Sequence, residues 1–150
     1  MRAREVLPAG TWDEVREIDR VLLDHDHRHR RRIVLTTERG NHLLLDLPQT
    51  THLHQDDGLH LDDGGIVRVC ARPEPLLEIC APPAALMRIA WHLGNRHLPV
   101  QFLADRIRIR ADRVIADMAR GLGAQVHAVE APFDPEAGAY GVGHDHSDHG

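Results

Sequence analysis

Apolar residues along this chain change rhythm near its midpoint. Up to Ala71 they come in short β-branched or leucine-rich runs closed by turn signals. Ile33-Val34-Leu35-Thr36-Thr37 ends at Glu38-Arg39-Gly40-Asn41, and His42-Leu43-Leu44-Leu45-Asp46-Leu47 ends at Pro48. A glycine-containing gap of this length between two strand-like runs predicts a hairpin. Asp56-Asp57-Gly58 and Asp62-Asp63-Gly64-Gly65 are further turns, the second leading into Ile66-Val67-Arg68-Val69-Cys70. Residues 1–71 therefore read as a small β-sandwich or barrel-like domain. Only Thr11 to Asp24 is ambiguous, because Val15, Ile18, Val21 and Leu22 would also suit one face of a helix.

Arg72-Pro73-Glu74-Pro75 interrupts regular structure and is expected to be a linker over residues 72–75. Beyond it Leu76 to Cys80 reads as a strand. Pro82-Pro83 opens a helix, since proline suits the first turn, whose N–H groups lack intrahelical partners. That helix carries Leu86, Ile89, Ala90 and Leu93 along one side and stops near Gly94-Asn95. Pro99 to Leu103 and Arg106 to Arg110 are two more strands, and in the second isoleucine alternates with arginine. Asp112 caps a second helix bearing Val114, Ile115, Met118, Ala119 and Leu122, which Gly123 ends, and Gln125 to Glu130 forms a last strand. Strand–helix–strand–strand–helix–strand is the order of a ferredoxin-like βαββαβ domain, expected over residues 76–131. The class is α+β. Residues 132–150 are rich in proline, glycine and histidine, and are expected to form a disordered, His-rich tail.

Composition narrows the function classes. A formal charge of −5 excludes a generally basic nucleic-acid binder, and the Arg28 to Arg32 patch lacks interleaved aromatics. No apolar run is long enough for a membrane span, and no signal peptide is visible at the N-terminus. Cys70 and Cys80 are too far apart for a Cys-x-x-Cys motif and suit reduced thiols in a cytoplasmic protein. Every one of the 18 Lys or Arg residues is arginine, while histidine reaches 13. The histidines are the candidate chemistry.

Neutral imidazole is a good donor to zinc, copper and nickel, and a short His-rich tract reads as metal binding. In the tail His144, His146 and His149 can surround one ion, with Asp145 and Asp148 adding negative potential. The spelling His-x-His-x-Asp-His also occurs in metallo-β-lactamase-type hydrolases, but here no downstream scaffold remains to supply further ligands. No catalytic motif is convincing, so no enzyme is expected. His25, His27 and His29 alternate beside four arginines that oppose a cation, and a solvated loop is the simpler reading. His52 and His54 form a similar pair beside Asp56 and Asp57, either a weak accessory metal site or a surface strand. His97 lies in a tight connection between a helix end and Pro99. One imidazole is a poor metal site, but a two-fold axis would bring two copies together.

The segment Trp91-His92-Leu93-Gly94-Asn95-Arg96-His97-Leu98-Pro99 resembles a signature of the urease accessory protein UreE family, nickel metallochaperones. Pro132-Phe133-Asp134-Pro135-Glu136-Ala137-Gly138-Ala139-Tyr140 with its His-rich end is a second match, and Asp112 to Met118 with Leu122-Gly123 a third. The resemblance is specific from Leu76 onward and looser over residues 1–71. It implies an N-terminal domain for partner contact and a ferredoxin-like domain that forms a homodimer. It also implies nickel held between subunits by paired copies of His97, with His144, His146 and His149 adding ligands. The loaded dimer would deliver Ni(II) to apo-urease in a complex with other accessory proteins, including the GTPase UreG. Arg110 and Arg113 stand where some members carry further histidines, so secondary sites are not expected there.

On this reading the chain carries metal and makes no bonds. Zn(II) or Cu(II) would bind the same imidazoles in vitro, since copper exceeds nickel in the general divalent series. Neither nucleic acid nor membrane is an expected partner. The alternatives are a histidine-rich storage or buffering protein for divalent metals, which needs no particular His97, and a small metallohydrolase.

Overall fold

The structure is a computed structural model and describes residues 1–136. The chain divides into two compact units, one over Met1–Arg72 and one beginning at Pro73. No helix among the described residues is long and apolar enough to cross a membrane.

The first unit has six strands, β1 (Arg2–Leu7), β2 (Glu17–Leu23), β3 (His29–Thr36), β4 (His42–His52), β5 (Gly58–Leu61) and β6 (Ile66–Ala71). They form one sheet in the order β2-β6-β5-β1-β4-β3, so the barrel-like half of the expectation is what forms, as a curled half-barrel. The predicted hairpin is β3–β4, running antiparallel from Thr36↔His42. Leu43, Leu45 and Leu47 are all but fully buried, while Leu44 and Asp46 between them face the other way and stay half-buried. With Val21, Leu23, Leu35, Leu53, Leu59, Leu61, Val67 and Val69 they make an aliphatic core. The ambiguous stretch around Thr11 to Asp24 is a 3-10 turn followed by β2. Val15 is 83% exposed whereas Asp19, Val21 and Leu23 are buried, so the period is two and the helical reading does not hold.

Asp19 shows how the sheet is curled. It lies on the edge strand β2, yet its carboxylate accepts hydrogen bonds from the hairpin between β3 and β4, which belongs to the opposite edge. Its Oδ1 takes the Arg39 N–H at 3.2 Å and its Oδ2 the Asn41 side-chain amide at 3.1 Å. The Glu38 N–H adds a bond of 2.8 Å to the Arg20 carbonyl. Burial acts to raise the Asp19 carboxyl, but the Thr37 hydroxyl, the Arg20 N–H, Asn41 and Arg39 outweigh it and hold it below the ordinary carboxylate value. Replacing Asp19 with Ala strands these donors and is expected to cost about 2–4 kcal/mol. Because the folded value is depressed, the contribution is complete above the ordinary carboxylate pKa of about 4. It is lost as pH falls through the lower folded value. Urea unfolding of both forms at neutral pH and in acid should therefore show the gap narrowing in acid.

The second unit contains β7 (Pro73–Cys80), α1 (Pro83–Asn95), β8 (Gln101–Phe102), β9 (Arg106–Arg110), α2 (Arg113–Gly121) and β10 (Gln125–Pro132). The sheet order β10-β7-β9-β8, antiparallel throughout, is the ferredoxin-like arrangement. Ile107 and Ile109 face a core with Ile79, Ile89, Leu93, Ile115 and Ala119. The arginines that alternate with them lie on the other face, where Arg106 and Arg108 bind the two oxygens of Glu78 at 2.8 and 3.0 Å. The Arg106 hydrogen bond leads in holding that carboxyl below its usual range, against burial. Asp112 caps α2 by accepting the Ile115 N–H at 3.1 Å. Val114 is 68% exposed, so the buried side of α2 is narrower than its apolar residues suggest.

Three boundaries differ from expectation. Arg72-Pro73-Glu74-Pro75 is no linker, because β7 begins at Pro73 and pairs with β10 as far as Pro73↔Pro132. Both prolines are tolerated for a geometric reason. The Pro75 carbonyl accepts the Ala111 N–H at 3.3 Å, so the backbone of Pro73 and Pro75 faces the β9 side, where strand pairing has ended at Leu76↔Arg110 and no further donor is needed. The strand expected over Pro99 to Leu103 shrinks to Gln101–Phe102, since Pro99 has no N–H and the Val100 carbonyl accepts from the Glu136 N–H at 2.8 Å. Nor does order stop before Pro132. Phe133 is fully buried, with the Arg110 guanidinium 5.6 Å from its ring, and the Asp134 N–H binds Gln101 Oε1 at 3.2 Å. The remainder of the expected tail, from residue 137 on, lies outside the described residues.

Candidate metal site

His97 sits just past the end of α1, and the backbone there is specific. The Leu98 N–H reaches back to the Leu93 carbonyl at 3.1 Å, and the His97 N–H to the Gly94 carbonyl at 2.9 Å. This pair of bonds is a Schellman cap, which requires the residue at His97 to adopt the left-handed conformation. Its φ is +58°, and Asp56 is the only other non-glycine residue with positive φ among the described residues. Leu93 is fully buried and Leu98 packs against the same core, the apolar contact that accompanies such a cap. Pro99 then fixes the outgoing chain.

Glycine is the usual occupant of this position, and an L-residue there costs roughly 1–2 kcal/mol. Histidine tolerates the conformation better than most residues but gains nothing structural from it. The imidazole is exposed. A strained position with an exposed donor fits a functional role better than a packing role. On α1, Met87 and Trp91 are one helical turn apart and 74% and 64% exposed, an apolar patch on the helix surface.

Of the other predicted ligands, His144, His146 and His149 lie outside the described residues. Arg110 ends β9 and Arg113 opens α2. His60 is held in the sheet between Glu5 Oε1 and an Arg16 guanidinium nitrogen, each at 3.0 Å, and His27 Nδ1 lies 2.6 Å from Asp24 Oδ1. Both are structural. His92 packs edge-on against Trp91 at 5.1 Å, and His127 is exposed on β10. Sequence reasoning missed one convergence. His25 and His29, expected in a solvated loop, and His52 and His54, expected as a separate accessory site or surface strand, come together in the first unit.

Family comparison agrees over nearly the whole chain. Residues 3–72 match the N-terminal domain of the UreE urease accessory protein, and residues 74–150 its C-terminal domain. A urease accessory protein UreE from Beijerinckia indica is 52% identical over 151 residues, covering 99% of this chain and 87% of the relative. One from Rhodopseudomonas palustris strain HaA2 is 53% identical, covering 99% and 69%. Another from Rhodobacter capsulatus is 44% identical, covering 97% and 92%. With both domain models matched in order and relatives at this identity covered over most of their length, the chain belongs to the UreE family of urease accessory proteins.

Proposed function

We propose that this protein acts in urease maturation as a homodimeric nickel carrier, with Ni(II) as cargo held between two copies of His97. The observation that carries this reading is the backbone at His97: an exposed imidazole kept on a rigid cap at φ +58°, where glycine would be more stable. One ligand per chain is insufficient, and a two-fold axis supplies the second. The exposed Met87 and Trp91 support such an axis, because they offer apolar surface on α1 for an identical patch.

His144, His146 and His149 then complete the shell. A site with two rigid donors and several on a glycine-flanked segment suits transfer, since an acceptor on apo-urease or an accessory GTPase such as UreG can replace donors one at a time. The protein's own residues make and break no covalent bonds. Ligand imidazoles must be neutral, so nickel affinity falls as pH drops toward the ordinary histidine value of about 6.5. Specificity for nickel over zinc or copper comes from partners and metal supply, not from intrinsic affinity. The N-terminal half-barrel is the partner-contact domain in this reading. Cys70 and Cys80 are both free, in keeping with work in the reducing cytoplasm.

Equilibrium dialysis of nickel against the unaltered chain and two variants tests the carrier against a storage protein. His97→Ala should lose the tightest site. A chain ending at Tyr140 should keep that site in weakened form, because it retains both His97 donors and loses the ones that complete the shell. Retention of the tightest site in His97→Ala would support buffering by many equivalent histidines.

A further inference from the structure

The N-terminal unit holds a histidine cluster that the His97 reading does not use. His52 is its hub. Its ring centroid lies 5.4 Å from that of His25, 5.7 Å from His29 and 4.6 Å from His54. The ligand nitrogens of His52 and His54 lie within 4.8 Å of one another.

We propose that His52 and His54, with His25 and His29, form a second, imidazole-rich site for a divalent ion of the zinc, nickel and copper class. The spacing has a simple test. A ring bound through one nitrogen at about 2.0–2.1 Å places its centroid roughly 3.2 Å from the ion, and two such rings at a tetrahedral angle are then about 5 Å apart. The three observed separations bracket that value, so each of His25, His29 and His54 stands at the spacing from His52 that two imidazoles on one ion require.

The backbone is braced for it. His29 and His52 are register partners across β3 and β4. One residue beyond the end of each strand, Arg28 and Leu53 are both buried, and the Leu53 N–H binds the Arg28 carbonyl at 2.6 Å. The Arg28 side chain crosses the same gap, donating Nε to the Leu23 carbonyl at 3.3 Å and a terminal nitrogen to the Leu53 carbonyl at 3.5 Å. Since Leu53 points into the core, its neighbours His52 and His54 project together from the opposite face. The 3-10 turn at Asp26–Arg28 brings His25 round to join them.

Charge decides the strength of the site. Arg28 and Arg30 to Arg32 oppose a cation: the bonds from Arg30 to the Asp26 carbonyl and from Arg31 to the Leu47 carbonyl leave their charges in place, while the Asp46 carboxylate offsets that of Arg32. The Asp26 carboxylate lies 3.9 Å from His25 Nδ1, an anion on the ligand's flank. The site is therefore the weaker of the two, and its imidazole donors favour zinc, nickel and copper over magnesium and calcium.

The test uses the full chain with His97, His144, His146 and His149 all changed to Ala, which removes the sites of the carrier reading and makes the two readings separable. Zn(II) titrated into this form is expected to bind at one equivalent per chain and to shift the ring nitrogen NMR signals of His52 and His54. Adding His52→Phe, which keeps a stacked ring, should weaken binding roughly tenfold or more. His54→Ala, at an exposed position that does not challenge folding, should do the same. No zinc binding in the quadruple variant, or binding that leaves the His52 and His54 ring signals unmoved, overturns the proposal whatever happens at His97.

Discussion

Replacing His97 with glycine is expected to stabilise the metal-free protein while removing its tightest nickel site. The two effects have opposite signs because they have separate causes. Positive φ is strained for any residue with a Cβ, and glycine relieves that strain in the Schellman cap that ends α1. Glycine also loosens the unfolded chain, which offsets part of the gain. The net change should be about 0.5–1 kcal/mol in favour of the folded state, or an increase of a few degrees in Tm with chelator present. Nickel affinity should fall roughly 100-fold or more, since one substitution removes two donors from a shared ion. His97→Asn sharpens the comparison, because asparagine also tolerates the left-handed region but offers no imidazole. Differential scanning calorimetry and nickel titration on the same samples measure both effects. A destabilised His97→Gly would mean that the ring has a structural role after all.

Phe133→Ala is expected to have the largest effect on stability, about 3–5 kcal/mol, measured by urea unfolding. Its side chain is fully buried, among the largest so placed, in a protein whose aromatics make up only 3% of residues. A cost within the 0.5 kcal/mol or so typical of surface positions would contradict the placement of Phe133.

Phe133 also shows why the start of the tail was misread. Pro132, Asp134 and Pro135 are residues of turns and disordered segments, and a single aromatic among them carries no period. Its burial follows from where β10 delivers the chain, which only the pairing of β7 with β10 determines. The same pairing hid the true start of β7, because proline reads as a breaker unless the side to which its backbone faces is known. By contrast, the alternation Ile107-Arg108-Ile109, the Asp112 cap and the Pro82-Pro83 opening are local signals, and each appears in the structure where expected. The hairpin was legible from Gly40-Asn41, but the meeting of His29 with His52 was not. The register shifts between Arg30 and Arg32, and without that bulge His29 would face a residue three positions earlier on β4. For His97 the sequence showed a stiff junction before Pro99. The left-handed backbone, the strongest sign that the residue is kept for its ring, required the fold.

The placement of a nickel ion on a two-fold axis at His97 is what the carrier mechanism depends on most. Anomalous diffraction at the nickel edge, from crystals of the full chain grown with one Ni(II) per two chains, measures it directly. The expected result is a single strong peak on the dimer axis, roughly 2 Å from an imidazole nitrogen of each His97. Nickel bound elsewhere, with the two His97 rings apart and bare, would contradict it.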